Sequence, residues 1–446
     1  MNGAMPAAGW TRVLRLLAAS LLFVGAACTS APSSPTPSRD AEAPTPSPAS
    51  GPPSSPISPS PSPSAVGAVT LEAPPGGSFL VRGSYPRVRS SCVRPEQPRL
   101  HARYPGTLQV ERSDDGTLAL TVALPFSEYL EGIAEVPPSW PMAALRAQAI
   151  AARSYALATT GWDGEEGETL DTPICATTAC QVYRGIPLTP SPDTARWYRA
   201  VRSTDGEVLL YQGRPAETVY FSTSNGQTYG NEDVFGSSPL PYLRPVVERD
   251  DGASPVSSWR VRLRFEDLAR FLAEAGEWPT GASISDVRLE GGTVLVSGGG
   301  DARSMTLGTF RDAVNAWAHC LEPRRYPPGG LPTTIPSRWL SLSSGPTAVI
   351  VTGRGWGHGA GMVQWGAYGK ARRGLPADEI LASYYGGLHP KPYPEPGLIH
   401  VQVGSGLTSL GIVPSGPGAR LNDEELEPGR VVVTGGQELT VRTGRG

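Results

Sequence analysis

Apolar and polar positions change rhythm from one segment of this chain to the next. Leu16-Leu17-Ala18-Ala19-Ser20-Leu21-Leu22-Phe23-Val24-Gly25-Ala26-Ala27 is a nearly unbroken apolar run behind Arg12 and Arg15. It is shorter than the ~20 residues a membrane-spanning helix needs. With its positive flank and the small residues that end it, the run reads as an export signal. From Thr29 to about Ser64 the apolar side chains nearly vanish, as in Ser58-Pro59-Ser60-Pro61-Ser62-Pro63-Ser64. A segment with so little to bury prefers extended polyproline conformations and reads as a stalk. Period-two alternation begins beyond it. Leu108-Gln109-Val110-Glu111 and Leu118-Ala119-Leu120-Thr121-Val122 predict strands around the turn Asp114-Asp115-Gly116. Ser139 then precedes Trp140-Pro141 and the alanine-rich run Met142 to Ala158, which predicts a helix. Leu145, Ala149, Ala152 and Ala156 share one face of it; Arg146, Ile150, Arg153 and Leu157 share another. Strand patterns recur at Glu207 to Tyr211, Val256 to Phe265, Thr293 to Val296 and Ala348 to Val351. Short helices are predicted over Phe265 to Ala275 and Thr309 to Ala318.

This mixture predicts an α+β fold, its sheets mostly antiparallel, around a central alanine-rich helix. The expected plan is a signal over 1–28, a Pro/Ser-rich linker over 29–77 and a large folded domain over 78–395. That domain holds an inserted subdomain at about 245–345. A small β-rich segment over 396–446 reads either as a wall-binding module or as an appended hairpin. Composition narrows the function. The 446 residues include 53 Gly and 47 Pro, and the net charge is only −3. That lacks the basic excess of a nucleic-acid binder. Five cysteines occur, at 28, 92, 175, 180 and 320. Cys28 directly follows the small residues of the signal. It is either the lipidated first residue of a mature lipoprotein or the residue just past a plain secretory cut after Ala27. Setting Cys28 aside leaves an even number in a compartment where disulfides persist. Cys175 and Cys180 are spaced for a local bridge, which leaves Cys92 to pair with Cys320. A zinc site at Cys175 and Cys180 would need two more N or S ligands, and no histidine lies near them in sequence.

Two dense motifs carry candidate chemistry. The first runs from Leu124 to Pro141, and its notable residue is Glu135, set between Ile133-Ala134 and Val136-Pro137-Pro138. A carboxyl desolvated there would hold a proton at neutral pH, as a general acid requires. The alternative is that Glu135 merely caps the helix that follows. Glu128 and Glu131 read as solvated charges on a helix face. The second motif is Gly353-Arg354-Gly355-Trp356-Gly357-His358-Gly359-Ala360-Gly361-Met362-Val363-Gln364-Trp365-Gly366-Ala367-Tyr368-Gly369. Its alternating glycines imply a shaped loop, and its tryptophans, His358 and Gln364 suit a sugar-binding surface. His358 reads as a base, a ligand donor or a structural histidine. A third segment, Thr218 to Asp233, sets Ser222, Ser224 and Asn225 at a strand end. They face either a cleft or the turn backbone, and no strained Gly-x-Ser-x-Gly elbow makes a serine the nucleophile.

The run Leu124 to Leu157, the segment Cys175-Ala176-Thr177-Thr178-Ala179-Cys180-Gln181-Val182-Tyr183-Arg184-Gly185, Tyr220 to Asp233, and Gly355 to Ala367 together resemble the SpoIID/LytB family, in the same order. The family is named for the sporulation stage II protein D and for an amidase enhancer, and the likeness spans roughly Tyr85 to Tyr393. It implies a lytic transglycosylase, a lyase acting on peptidoglycan strands stripped of stem peptides, with the essential glutamate at Glu135. It implies substrate contacts from Arg153, Tyr220, Ser222, Ser224, Asn225, Trp356, His358 and Gln364. Zinc accompanies some members, but this chain lacks the histidines beside Cys175 and Cys180, so no metal or other cofactor is expected. A cell-wall amidase is the implied protein partner, with membrane attachment only through lipid on Cys28 and location outside the cytoplasm. The competing expectation is a non-catalytic glycan binder that enhances or recruits that amidase. A hydrolytic route would instead need a second carboxylate, with Asp233 and Glu232 as candidates.

Overall fold

The computed structural model describes residues 67–89, 92–93, 100–164, 169–326 and 334–444. The expected export signal, Cys28 and most of the linker fall outside the described residues, as does the side chain of Cys92. The two alternating segments form a hairpin, Thr107–Arg112 against Leu118–Pro125, with Val110 opposite Leu120. Its turn is closed by Asp115, whose carboxylate accepts from the amide and hydroxyl of Thr117. Around it grows a seven-stranded sheet in the order Glu424–Glu425, Arg420–Leu421, Ala68–Glu72, Thr107–Arg112, Leu118–Pro125, Leu398–Leu407, Thr169–Cys175. A five-stranded sheet runs Thr440–Gly444, Arg430–Thr434, Ser409–Pro414, Phe79–Ser84, His101–Tyr104. Most pairings are antiparallel, so the α+β expectation holds. Leu398–Leu407 on Thr169–Cys175 is parallel, as is Tyr220–Phe221 on Met362–Val363.

Two expected boundaries move. The linker was expected to reach residue 77, yet Ala68–Glu72 is already a sheet strand, with Val69 and Leu71 buried against the hairpin. The segment from 396 onward is neither module nor appendage. Ile399, Val401 and Val403 are buried, and Leu398–Leu407 lies inside the main sheet. Alternation in a strand reports burial of one face and says nothing of which neighbours supply the pairing.

The alanine-rich helix spans Met142–Thr160 and is buried on most sides. It begins after Pro141, which needs no amide partner there, without a side-chain cap from Ser139. It ends at Gly161 in the left-handed conformation, φ 75°. Leu145, Ala149, Ala152 and Ala156 enter the core of the main sheet. Ala147, Ile150 and Ala151 enter a separate core with Phe221, Met362, Val363 and Tyr384. Small side chains let both layers approach the helix closely. A further core joins Val256, Trp259, Phe271, Phe310, Val349 and Trp356. It is built by the helices Phe265–Glu274 and Leu307–Leu321 and the strands Trp259–Arg264, Asp286–Glu290, Thr293–Gly298 and Ala348–Gly353. The second helix starts two residues earlier than the sequence suggests, because the Thr306 hydroxyl caps it by accepting from the Thr309 amide.

Arg153, expected to contact substrate, is fully buried in the long helix. Its Nε lies 2.5 Å from Glu395. Its terminal nitrogens donate to the Val201 carbonyl at 3.2 Å and the Thr204 hydroxyl at 3.3 Å. Every polar edge faces protein, so its role is to tie helix to loop. Removing one partner of such a pair leaves the other charge buried and uncompensated. We therefore expect Arg153→Ala to lower unfolding free energy by ~3 kcal/mol or more in urea titration. An unchanged midpoint would contradict this role.

Candidate active site

Glu135 sits in the short segment between the helix Phe126–Glu131 and the long helix. Residues 132–134 pair with 182–184 as a miniature antiparallel ladder. The Ala134 amide donates to the Val182 carbonyl at 2.9 Å, and the Arg184 amide to the Gly132 carbonyl at 2.9 Å. Gly132 permits this approach, since a Cβ there would stand 2.3 Å from the Tyr183 ring. One step further along, the Val182 amide has no carbonyl to meet and donates instead to Glu135 Oε1 at 2.6 Å. The far end of the segment is held by Trp140, which packs on Trp365 and Tyr368 at ring-centre distances of 4.9 and 5.1 Å.

Burial raises the pKa of the Glu135 carboxyl to about 7. The Val182 amide, the Arg184 guanidinium, and hydrogen bonds from Tyr220 and Gln364 all pull the other way. Desolvation outweighs them because the surroundings are tyrosine rings and backbone. The residue nevertheless keeps part of its surface open. A carboxyl in this state is populated in both forms near neutral pH and can give a proton and then take one back. Its partners are themselves anchored. Gln181 Nε2 donates to the Tyr220 hydroxyl at 3.1 Å and to the Ala152 carbonyl at 3.0 Å, and its Oε1 accepts from Tyr129 at 2.6 Å. Gln364 Nε2 lies 3.3 Å from Gln148 Oε1 and 3.5 Å from the Glu135 carbonyl.

The glycine-rich loop delivers Gln364. Gly361 has φ 74°, and a Cβ on it would fall 2.0 Å from the Val219 carbonyl oxygen, so only glycine lets the loop lie on that strand. His358 locks the same contact. Its Nε2 lies 2.8 Å from the Tyr220 carbonyl, while Nδ1 accepts from the Ala360 amide at 3.2 Å. The acceptor on one side and the donor on the other fix the neutral tautomer with hydrogen on Nε2. Burial lowers its pKa to about 4. His358 thus holds Tyr220 from behind, and both of its ring nitrogens are taken by backbone. The backbone of Tyr220 meets His358 while its hydroxyl meets Glu135, so the histidine and the acid are one residue apart.

Other expected residues are placed differently. Trp356 is buried in the core that joins Val256, Trp259 and Phe271, its amide donating to the Thr223 carbonyl at 2.8 Å, so it offers no sugar-binding face. Ser224 is buried, donating at 2.7 Å to Asp251, and belongs to a turn. Asn225 donates to the Tyr229 hydroxyl at 2.8 Å, and its Oδ1 is buried without a partner. Ser222 remains partly open, two residues along from Tyr220, with its carbonyl accepting from the Trp365 amide at 3.0 Å. Glu232 is held by both terminal nitrogens of Arg244 at 2.6 Å, which also lowers its pKa, so it is not a spare base. Cys175 and Cys180 form a disulfide. Their sulfurs are therefore not free thiolates, and no group of three or more His, Cys, Asp and Glu side chains comes together among the described residues. Among the described residues, a disulfide without nearby histidines does not fit a zinc ion. Gln181, Val182 and Arg184 stand in the segment that follows Cys180 and join the site without having been expected there, as does Gln148, a lone amide on the buried alanine-rich helix.

A family model described as Stage II sporulation protein, SpoIID, matches residues 114–211, which include Glu135 and the whole long helix. An uncharacterised protein of Brachyspira hyodysenteriae is 30% identical over 293 residues, covering 64% of this chain and 71% of that one. Stage II sporulation protein D of Bacillus subtilis is 29% identical over 277 residues, 59% of this chain and 74% of its own length. The amidase enhancer of the same organism is 28% identical over 290 residues, 57% of this chain but only 38% of the enhancer.

The raised acid makes a signed prediction. The fold favours neutral Glu135, so its stabilisation is complete below the ordinary carboxyl value of 4.5 and is lost as pH rises through about 7. Glu135→Gln stays neutral throughout. The melting temperature of the variant minus that of the wild type should therefore climb between pH 5 and pH 8. A difference that stays flat with pH would contradict the assignment.

Proposed function

The chain belongs to the SpoIID/LytB family, and from that premise we propose that it remodels the cell wall by cutting peptidoglycan glycan strands as a lytic transglycosylase. The observation that carries this reading is a single carboxyl whose pKa of about 7 is set by burial and whose orientation is fixed by the Val182 amide. Ordinary glycosidases need two carboxyls across the bond. Here Glu232 is committed to Arg244, which suits a route that needs one.

In that route, neutral Glu135 donates its proton to the glycosidic oxygen as the bond from muramic acid C1 to that oxygen breaks. The oxocarbenium-like centre at C1 is attacked by the C6 hydroxyl of the same sugar. The Glu135 carboxylate takes the C6 hydroxyl proton as the bond from O6 to C1 forms, which closes a 1,6-anhydro ring and restores the acid. No water is consumed, and the nucleophile is intramolecular. Tyr220 and Gln364 aim the carboxyl, and Arg184 stabilises it while it is charged. Ser222 is the polar side chain best set to meet the glycan beside Tyr220. The substrate is a strand without stem peptides, and the protein works outside the cytoplasm, tethered by lipid on Cys28. The relative named amidase enhancer supports a second reading, in which the domain grips glycan and assists an amidase without cutting.

The test is incubation of the purified protein with amidase-stripped glycan, followed by mass spectrometry. New anhydromuramic ends that fall at least ~100-fold in Glu135→Gln support the enzyme. The wild-type rate should drop as pH rises through about 7, because the acid loses its proton. Binding without new ends would establish the non-catalytic reading, and reducing ends would establish hydrolysis.

A further inference from the structure

A groove opens beside the segment that carries Glu135, and we propose that it is a subsite for a sugar unit carrying a free, protonated amine, the de-N-acetylated form of an amino sugar. This rests on the glycan-cleaving reading of Glu135. The groove has a volume of about 480 Å³, and its walls include Glu128, Glu131, Gly132, Tyr183, Tyr198 and Arg202. That size lies within the ~300–1,000 Å³ range of small-molecule sites. Gly132 belongs to both the groove and the ladder that holds Glu135. The three residue steps from Gly132 to Glu135 span at most ~11 Å of backbone, so a neighbouring sugar of one strand would reach it.

Three features define the ligand. The Tyr183 hydroxyl is buried and has no hydrogen-bond partner, although its residue is only 3% exposed. Tyr183 itself lines the groove. An unpaired buried donor is costly, and a sugar hydroxyl or ring oxygen would satisfy it. Glu131 is neutralised by Arg202, whose Nε is 2.7 Å away. Glu128 has no such cation among the described residues, and burial and the neighbouring Glu131 raise its pKa. A carboxylate in that position gains from a positive ligand and gains nothing from a neutral acetamide. Tyr198 adds an aromatic face, which attracts both a sugar ring and an ammonium group. The helix face that reads in sequence as merely solvated therefore has one paired acid and one unpaired acid over a tyrosine floor.

Calorimetry on the full protein tests this, with Glu135→Gln present throughout so that nothing is cleaved. A glucosamine oligomer should bind ~10-fold tighter at pH 6 than its fully N-acetylated counterpart of equal length. Glu128→Gln should bring the two affinities together, and Glu128→Lys should reverse their order. Glu379→Gln, on an exposed helix turn that does not line the groove, should keep the preference. Matching melting temperatures of the Glu128 variants and their parent confirm folding. Equal affinities in the parent, or a preference that survives Glu128→Gln, would overturn the subsite. Because binding is read without turnover, failure of cleavage and failure of the subsite give separate results.

Discussion

The site depends on one hydrogen bond that a β-ladder leaves over. Residues 132–134 and 182–184 pair through their backbones, and the Val182 amide, displaced by one step, closes on the Glu135 carboxylate at 2.6 Å. That bond fixes where the carboxyl points while desolvation decides its charge. Alone, the amide would hold the acid ionised. Burial among tyrosine rings tips the balance toward the neutral form at moderate pH. A group that is both oriented and poised near neutrality is what proton transfer in two directions requires.

The rest of the fold keeps that balance. The long helix separates two cores and carries Gln148 and the Ala152 carbonyl into the hydrogen-bond network from behind. The glycine-rich loop lies on the strand Tyr220–Phe221, where His358 binds the Tyr220 backbone and the tyrosine hydroxyl reaches the acid. A neutral histidine suits this task, since a charged ring beside the acid would lower the carboxyl pKa. Burial of the imidazole, which pushes its own pKa to about 4, keeps it neutral. Arg153, the residue after Ala152, ties the same helix to Glu395.

Much of this was legible in the sequence, and the failures are instructive. The alternating hairpin and the alanine-rich helix followed from periodicity, and the apolar residues around Glu135 pointed to the desolvation that the fold imposes on it. The roles of Trp356 and Arg153 did not, because aromatic and cationic side chains look alike in sequence whether they face a ligand or a core. The network around Gln181 and Gln148 depends on pairings across many residues, and a lone glutamine gives no signal of its partner. The tail from residue 396 carried clear strand patterns, but alternation cannot reveal that a late strand fills the middle of an early sheet.

The most direct measurement of the central claim is a titration of the Glu135 side-chain carboxyl carbon by NMR in the folded protein, with Glu135→Gln used to assign the signal. The account predicts a midpoint near pH 7, with Val182→Pro, which deletes the donating amide, shifting it upward. A midpoint near the ordinary 4.5 would mean that the carboxyl is solvated and ionised at neutral pH, and the proton-donating role would be withdrawn.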